Sequence, residues 1–484
     1  MRWLLFFSAV MLFVACQSSP SEASSENKTA VSSSGGEAEN MDFKVKVEGI
    51  SEGGVILVGT YGDQQYKADS VGIGKDGYAH FKKDEPMKQG LYYALFPDQE
   101  IVQLIVAEDQ TFTITAKRND IVKTAQVEGS LENQILYENM VYLMDIDPNI
   151  TSVSNQMKSH QEGTDNFNVL KEKRDALVAE RDAYLEDFFN KYPDALFTKY
   201  KMAGQNPKVR DVRAPDGSVD NIKQVYYYRT EFWDNVDFSD DRLLQTPVIG
   251  NKLKRYITEL TVQHPDSIIS STKLLLSKVL DKPEYYKFFA NWITIKYEPT
   301  KTTLMDSEAV FSYMIKNYFT YDRAFWSDSA EVYALQLRAK EMGNSLVGQK
   351  GPNVKVPDIN GGVSELYDLK TPYIIVYMYN PQCEHCMKET PQLVANLRQW
   401  KNEGISVYAI AVDTDDAEWR QYVREKGMQD FVNVFDPTNR SIYATYYVDN
   451  TPEIYVLNPD REIIGKNLNV NQIMTVINRD KARR

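Results

Sequence analysis

The amino-acid sequence predicts a multidomain α+β protein with an N-terminal β-sandwich, a helical middle domain and a C-terminal α/β domain. Two observations support this fold class. The chain has 484 residues, which is more than a single hydrophobic core usually accommodates. Its apolar residues recur with the period of strands near the amino end and with that of helices in the middle, and strands alternate with helices near the carboxyl end.

Residues 1–15 have the composition of a signal peptide. Arg2 precedes an apolar run that is shorter than the about 20 residues needed to span a membrane. The run ends at Ala15-Cys16 and resembles the lipobox of bacterial lipoproteins, a resemblance that implies lipidation of Cys16. Residues 16–40 are rich in Ser, Gly and Glu, which predicts a flexible tether. A plain signal peptide with a chance cysteine is the alternative.

Residues 41–125 are predicted to form the small β-sandwich. Phe43, Val45 and Val47 alternate with charged residues, as in a strand with one buried face. Further short apolar segments follow and are separated by turn signals such as Gly53-Gly54 and Asp76-Gly77. Several short strands at this spacing are typical of a sandwich. We find no catalytic combination of residues in this segment, which favours a binding or spacer role.

Residues 126–342 are predicted to be mostly helical. Leu136, Met140 and Leu143 fall on one face of a helix, and a second amphipathic stretch ends before Tyr192-Pro193. The segment is rich in aromatic residues, including those at 226–228 and 232–233. Aromatic side chains at helical spacing usually belong to a core. The sequence does not indicate what this domain does.

Residues 345–484 are predicted to form the α/β domain. Residues 373–379 are a continuous apolar run of strand length, which indicates a central strand covered on both faces. A helical stretch, a second buried strand at 405–412 and a polar helix around 416–426 follow. Two strands at 453–457 and 462–465 flank the turn at Asn458-Pro459-Asp460.

The motif Cys383-Glu384-His385-Cys386 lies between the first strand of this domain and its first helix. The helix amino terminus would stabilise a thiolate on Cys383 through its free N–H groups and its dipole. Cys386 lies one turn further along and is close enough to attack a mixed disulfide formed at Cys383. We therefore predict that Cys383 is the nucleophile and Cys386 the resolving thiol. We expect Glu384 and His385 to modulate the pair, and a charged His385 would further favour the thiolate.

A second signature, Thr451-Pro452, stands just before the strand that begins at Glu453. Together with Cys383-Glu384-x-Cys386, Glu389 and Pro391, it makes the segment from Ser345 to Arg484 similar to the TlpA/ResA-like branch of membrane-tethered thioredoxin-fold proteins. The two preceding domains likewise resemble uncharacterised modules that occur before thioredoxin-like domains in exported lipoproteins.

This resemblance implies a thioredoxin fold with several site residues. Thr451 and a cis Pro452 are expected to bind the substrate backbone, and Glu389 is expected to handle protons near the cysteines. The chain departs from the family pattern at two positions. Gln382 replaces the Trp that usually precedes the first cysteine, and Tyr377 stands where soluble thioredoxins keep a buried aspartate, so Glu389 or water would be the general base.

Charge, cysteine content and motifs argue against several other functions. The net charge is −13 and no basic stripe occurs, so we predict no nucleic-acid partner. Besides Cys16 the chain has only the closely spaced pair, and a zinc site would need a second pair of ligands. We predict no metal and no cofactor. A peroxiredoxin-like peroxidase would require a Pro-x-x-x-Thr-x-x-Cys sequence, which is absent.

The sequence thus predicts a protein-disulfide reductase or isomerase of the cell envelope, anchored through Cys16 and facing the periplasm. Its expected partners are exported proteins with cysteines or disulfides and an electron donor or acceptor at the membrane. Two alternatives stay open. One is a non-enzymatic envelope lipoprotein that binds a partner, and the other is the peroxidase.

Overall fold

The structure, a computed structural model, describes residues 40–438 and 440–484. The predicted signal peptide, Cys16 and nearly all of the predicted tether lie outside these residues. Within the described ranges, none of the helices combines the length and apolar content needed to cross a membrane. The predicted fold class is confirmed, because strands at the amino end precede a helical middle and an α/β domain.

Within residues 42–128 the strands form two sheets that pack face to face. The first sheet has the order β4-β1-β7-β8 and the second the order β3-β2-β5-β6. Buried side chains from alternate positions fill the space between them, and the Phe43 ring stacks on those of Phe81 and Phe112. The strands and a short helix are β1 (Asp42–Glu48), β2 (Gly54–Tyr61), β3 (Gln64–Gly72), β4 (Ala79–Lys82), β5 (Gly90–Leu95), β6 (Ile101–Val106), β7 (Thr111–Lys117), α1 (Ile121–Thr124) and β8 (Gln126–Glu128).

The middle of the chain is helical. Several of its helices begin with a side-chain cap or a proline in the first turn, both of which suit the unpaired N–H groups there. These helices are α2 (Leu131–Met157), α3 (Asp165–Lys191), α4 (Leu196–Gly204), α5 (Asn221–Glu231), α6 (Pro247–Thr258), α7 (Pro265–Ser277), α8 (Pro283–Lys296), α9 (Ser307–Tyr318) and α10 (Ser329–Met342).

The sandwich and the helices share one continuous hydrophobic core that runs from Met41 to Met342. The two parts approach closely where α6 meets the turn after β2. A Cβ atom on Gly250 would lie 2.4 Å from the backbone carbonyl carbon of Gly62. Only a glycine therefore fits at position 250 without displacing the chain.

The C-terminal domain contains a five-stranded sheet with the order β13-β12-β11-β14-β15. Strands β11, β12 and β13 are parallel, and β14 and β15 are antiparallel to their neighbours. Separate apolar clusters cover the two faces of the sheet. The elements are β9 (Lys355–Pro357), β10 (Val363–Glu365), β11 (Tyr373–Tyr379), α11 (Glu384–Trp400), β12 (Ile405–Ala411), α12 (Asp416–Lys426), β13 (Val432–Phe435), α13 (Ser441–Tyr446), β14 (Glu453–Leu457), β15 (Ile463–Gly465) and α14 (Ile473–Lys481).

The structure adds elements that the sequence pattern did not predict and corrects one expectation. Strands β3 and β13 were not predicted, because β3 has mostly polar, exposed residues and β13 is only four residues long. The aromatic residues of the middle domain are only partly core. Phe232 and Trp233 are buried. Tyr226 is 62% exposed, and none of the side chains of α5 is fully buried.

Candidate active site

The two cysteines lie where the central strand β11 leads into helix α11. All seven residues of β11 are buried, and the strand ends at Tyr379. The carbonyl oxygen of Asn380 accepts a hydrogen bond from the Cys383 N–H at 3.1 Å, and the Asn380 side chain accepts one from the Gln382 N–H at 2.8 Å. This local turn places Cys383 immediately before the first residue of α11, beside the free N–H groups of the helix.

The two thiols have opposite environments. Cys383 is partly exposed and Cys386 is fully buried. Partial burial acts to raise the pKa of Cys383, but the N–H groups of Cys386 and His385 stabilise its thiolate and leave the pKa below its ordinary value. Burial instead raises the pKa of Cys386 to about 12. Cys383 is therefore the thiol that ionises more readily and that a second molecule can reach.

Thr451 and Pro452 lie beside the nucleophile. The Cys383 thiol donates a hydrogen bond to the Thr451 carbonyl oxygen, with a distance of 3.0 Å between the sulfur and the oxygen. The peptide bond between Thr451 and Pro452 is cis, as the sequence predicted. Both residues are half-buried. The structure thus brings Cys383, Cys386 and the Thr451-Pro452 segment together at one edge of the sheet.

The remaining predicted site residues lie around this centre. Glu384 and His385 are exposed on the first turn of α11. The Glu389 carboxylate is half-buried and accepts a hydrogen bond from the Val470 N–H at 3.3 Å, which ties α11 to the segment before α14. Its predicted role in proton transfer stays a prediction.

A network of hydroxyl groups below Cys386 was not predicted. Thr390 donates to the Cys386 carbonyl oxygen at 2.8 Å, and its hydroxyl oxygen lies 2.7 Å from the Tyr377 hydroxyl and 2.9 Å from that of Tyr422. Because the single Thr390 proton is used toward Cys386, both tyrosines must donate to Thr390. The network could have been predicted from Tyr377, which stands where soluble thioredoxins have a buried aspartate. A buried tyrosine hydroxyl requires a hydrogen-bond partner.

Comparisons with known proteins agree with this geometry. Residues 347–470 match the AhpC/TSA family. The chain is 27% identical over 117 residues to the thiol-disulfide oxidoreductase ResA of Bacillus subtilis, and the match covers 24% of this chain and 64% of that protein. ResA of Bacillus anthracis is 26% identical over 118 residues, which cover 24% of this chain and 67% of that protein. The C-terminal domain has a thioredoxin fold and is similar to the ResA proteins.

Solved structures are also similar to the thioredoxin-fold domain. A domain of a possible thiol-disulfide isomerase from Cytophaga hutchinsonii is 32% identical, with 28% of this chain and 95% of that chain covered and a TM-score of 0.27. A thioredoxin-like protein from Bacteroides caccae is 16% identical, with 56% of this chain and 99% of that chain covered and a TM-score of 0.41. The other two domains match families of unknown function, DUF4369 at residues 41–136 and DUF5106 at residues 179–322.

We expect the Thr390 hydroxyl to stabilise the thioredoxin-fold domain measurably. Replacement of Thr390 with valine keeps the shape of the side chain but leaves the Tyr377 and Tyr422 hydroxyls without their acceptor. Two buried donors without partners should lower the free energy of unfolding by about 2–4 kcal/mol in total. Urea unfolding of the full chain measures the change.

The matched control for this substitution is Tyr422→Phe. It removes one of the two donors and leaves Thr390 bonded to Tyr377 and Cys386. We expect it to lower the free energy of unfolding by only about 1 kcal/mol. Equal losses in the two variants would contradict the assignment of Thr390 as the shared acceptor.

Proposed function

We propose that the protein is a thiol–disulfide oxidoreductase of the cell envelope that reduces or isomerises disulfides in exported proteins. The observation that carries this proposal is the asymmetry between the two thiols at the start of α11. Cys383 is accessible and has a lowered pKa, whereas Cys386 is buried and its pKa is raised to about 12. An exchange reaction needs one thiolate to attack and a second, protected thiol to resolve.

In the proposed reaction the Cys383 thiolate attacks one sulfur of a substrate disulfide. The substrate S–S bond breaks, a mixed disulfide forms at Cys383, and the first substrate sulfur leaves as a thiolate. Cys386 then transfers its proton to this leaving thiolate and attacks Cys383. The second substrate sulfur leaves and is protonated by solvent, so that the substrate gains two electrons and the pair becomes an intramolecular disulfide.

Substrate binding is proposed at the Thr451-Pro452 segment. The Thr451 carbonyl lies 3.0 Å from the Cys383 sulfur, so a peptide chain that pairs with this segment would present its disulfide to the nucleophile. Glu389, Glu384 and His385 are proposed to tune proton transfer and the stability of the thiolate. An electron donor at the membrane is proposed to return the pair to the dithiol, as a reductase requires.

The cellular location is proposed from the amino end of the sequence. An acylated Cys16 would hold the protein on the membrane with its domains facing the periplasm, where exported proteins carry disulfides. The tether over residues 16–40 would let the redox domain reach substrates at some distance from the membrane surface. A metabolic label for lipid on the purified protein, and its loss in a Cys16→Ala variant, would test this part.

The central experiment uses the full chain with Cys386 replaced by serine. The resolving thiol is then absent, so we expect mixed disulfides between Cys383 and exported proteins to persist and to disappear on treatment with dithiothreitol. Non-reducing gels and intact mass of the purified adducts measure them. A variant that also carries Cys383→Ser is the control and should trap nothing.

The purified wild-type protein must also cycle between a dithiol and an intramolecular disulfide. We expect a mass change of two alkylation sites after reduction and none after oxidation. Failure to cycle would overturn the proposed function. Consumption of hydrogen peroxide through Cys383, without reduction of peptide disulfides, would favour a peroxidase instead.

A further inference from the structure

Four ionisable side chains are buried where the helical domain meets the thioredoxin-fold domain. Asp306 and Glu308, at the start of α9, come from the helical domain, and Glu453 and Lys466 come from the thioredoxin-fold domain. Lys466 has no exposed surface, and the three carboxylates are 3–8% exposed. Burial of charged groups is costly unless each keeps close partners, so this cluster constrains how the two domains pack.

Lys466 lies at the centre of the cluster. Its ammonium nitrogen is 3.4 Å from a Glu308 carboxylate oxygen and 3.7 Å from one of Asp306, and it donates to the Ser345 carbonyl oxygen at 3.1 Å. It also lies over the face of the Tyr455 ring, 5.1 Å from the ring centre. Because Lys466 has partners in both domains, it favours one orientation of the helical domain relative to the thioredoxin-fold domain.

Asn467 connects the helical domain to the first residue of β14. Its side-chain amide donates to Glu308 at 2.9 Å, and its backbone N–H donates to Glu453 at 3.0 Å. Its φ of +53° is in the left-handed region, which asparagine and glycine tolerate better than other residues. One residue of the thioredoxin-fold domain thus holds both a carboxylate of α9 and the carboxylate that begins β14.

Strand β14 begins directly after the Thr451-Pro452 segment. The carboxylate of Glu453 therefore lies two residues from the Thr451 carbonyl, which accepts the hydrogen bond from the Cys383 thiol. Met378 of β11 pairs with Glu453 across the sheet, so the start of β14 is also fixed relative to the strand that leads to the cysteines. Glu308 of α9 is thus linked through Asn467 to the residue that follows the Thr451-Pro452 segment.

We infer that the helical domain is a positioning element for the redox site. Glu308 acts through Asn467 and Lys466 on Glu453, and this contact holds the Thr451 carbonyl against Cys383. The expected effect on catalysis rests on the proposed function, whereas the positioning of Thr451 does not. The inference assigns a role to the helical domain, whose sequence alone indicates none. Glu308, Lys466 and Asn467 are positioning residues, because none of them touches the reacting sulfur.

The test compares two variants of the full chain, Asn467→Gly and Glu308→Gln. Asn467→Gly keeps the positive φ and removes only the amide that binds Glu308. Glu308→Gln removes the charge but keeps an oxygen acceptor for Asn467.

The first readout is the pH dependence of Cys383 alkylation by iodoacetamide. The hydrogen bond with Thr451 lowers the pKa of Cys383, so a displaced Thr451 should move the midpoint to higher pH by about 0.5 unit in Asn467→Gly.

The second readout is the kinetics of reduction of a peptide disulfide. We expect Asn467→Gly to raise KM by about threefold and to leave kcat less affected, because the substrate would pair with a displaced Thr451-Pro452 segment. Glu308→Gln should change KM and the alkylation midpoint in the same direction. A generally weakened interface would lower the melting temperature without moving the midpoint.

The control is Tyr447→Phe, which removes a hydrogen bond from Arg338 across the same interface but has no polar contact with Glu453. We expect it to leave the alkylation midpoint unchanged. If Asn467→Gly and Glu308→Gln fold and also leave the midpoint and KM unchanged, the inference is wrong. If the wild-type protein fails to cycle between dithiol and disulfide, the proposed function is wrong instead, and the alkylation midpoints alone decide whether the helical domain positions Thr451.

Discussion

Replacement of Cys383 with serine should lower the rate of disulfide reduction by at least about a thousandfold, to the rate seen without protein. Serine retains a donor for the Thr451 carbonyl, so the fold around the site should be kept. Its hydroxyl does not ionise near neutral pH, however, and the N–H groups at the start of α11 have no anion to stabilise. Reduction of insulin or of a fluorescent peptide disulfide measures the loss.

The matched control for Cys383→Ser is Met387→Ser. Met387 lies on the next turn of α11 and is 40% exposed, so this variant places a serine close to the site without removing a thiol. We expect its rate to stay within about twofold of the wild-type rate, as for other exposed substitutions. A Cys383→Ser protein that kept more than a tenth of the activity would show that the nucleophile lies elsewhere.

Rising pH should destabilise the interface between the helical and thioredoxin-fold domains. Burial raises the pKa of Glu453 from its ordinary 4.5 to about 8 and that of Asp306 from 3.8 to about 7, although Lys466 acts in the opposite direction on both. Each carboxyl therefore binds a proton in the folded chain over a pH range in which the unfolded chain has lost it. The stability present at pH 4 is then lost as pH rises toward the folded pKa values.

The expected size of this effect is about 5 kcal/mol for Glu453 between pH 4.5 and pH 8, because each unit by which the folded pKa exceeds the unfolded one contributes about 1.4 kcal/mol, with no further loss above that range. Glu453→Gln replaces the carboxyl with a neutral group of the same shape and should remove this part of the dependence. Unfolding monitored at several pH values, as the difference between the wild type and this variant, isolates the contribution of Glu453. A difference that stays constant from pH 5 to pH 8 would contradict the raised pKa.

The sequence was most informative where the relevant residues are close together along the chain. The pair Cys383 and Cys386 follows a buried strand and precedes a helix, and these local features are enough to predict an asymmetric thiol pair. The cis bond before Pro452 was predicted from the family resemblance and is present. The proposed roles of Glu389, Glu384 and His385 stay predictions, because their positions alone do not decide what they do.

Features that depend on contacts between distant residues could not be predicted. Asp306 and Lys466 are 160 positions apart in the chain, and each resembles an ordinary surface charge in the sequence. Their burial depends on how the start of α9 meets the residue that follows β15, which no local pattern encodes. Strand β13 was missed for a related reason, since a four-residue segment that contains Asn433 becomes a strand only by pairing with β12.

The hydrophobic core that the sandwich shares with the middle helices limits which segments of the chain can be exchanged between related proteins. If the chain were divided between β8 and α2, the sandwich and the helices would each expose the apolar side chains that they now bury against each other. These two domains can therefore be exchanged among proteins only together. The redox domain encloses its own sheet and could be transplanted after Met342. Its recipient would then have to supply acidic side chains for Lys466, or the transplanted domain would carry an unneutralised ammonium group at the new junction.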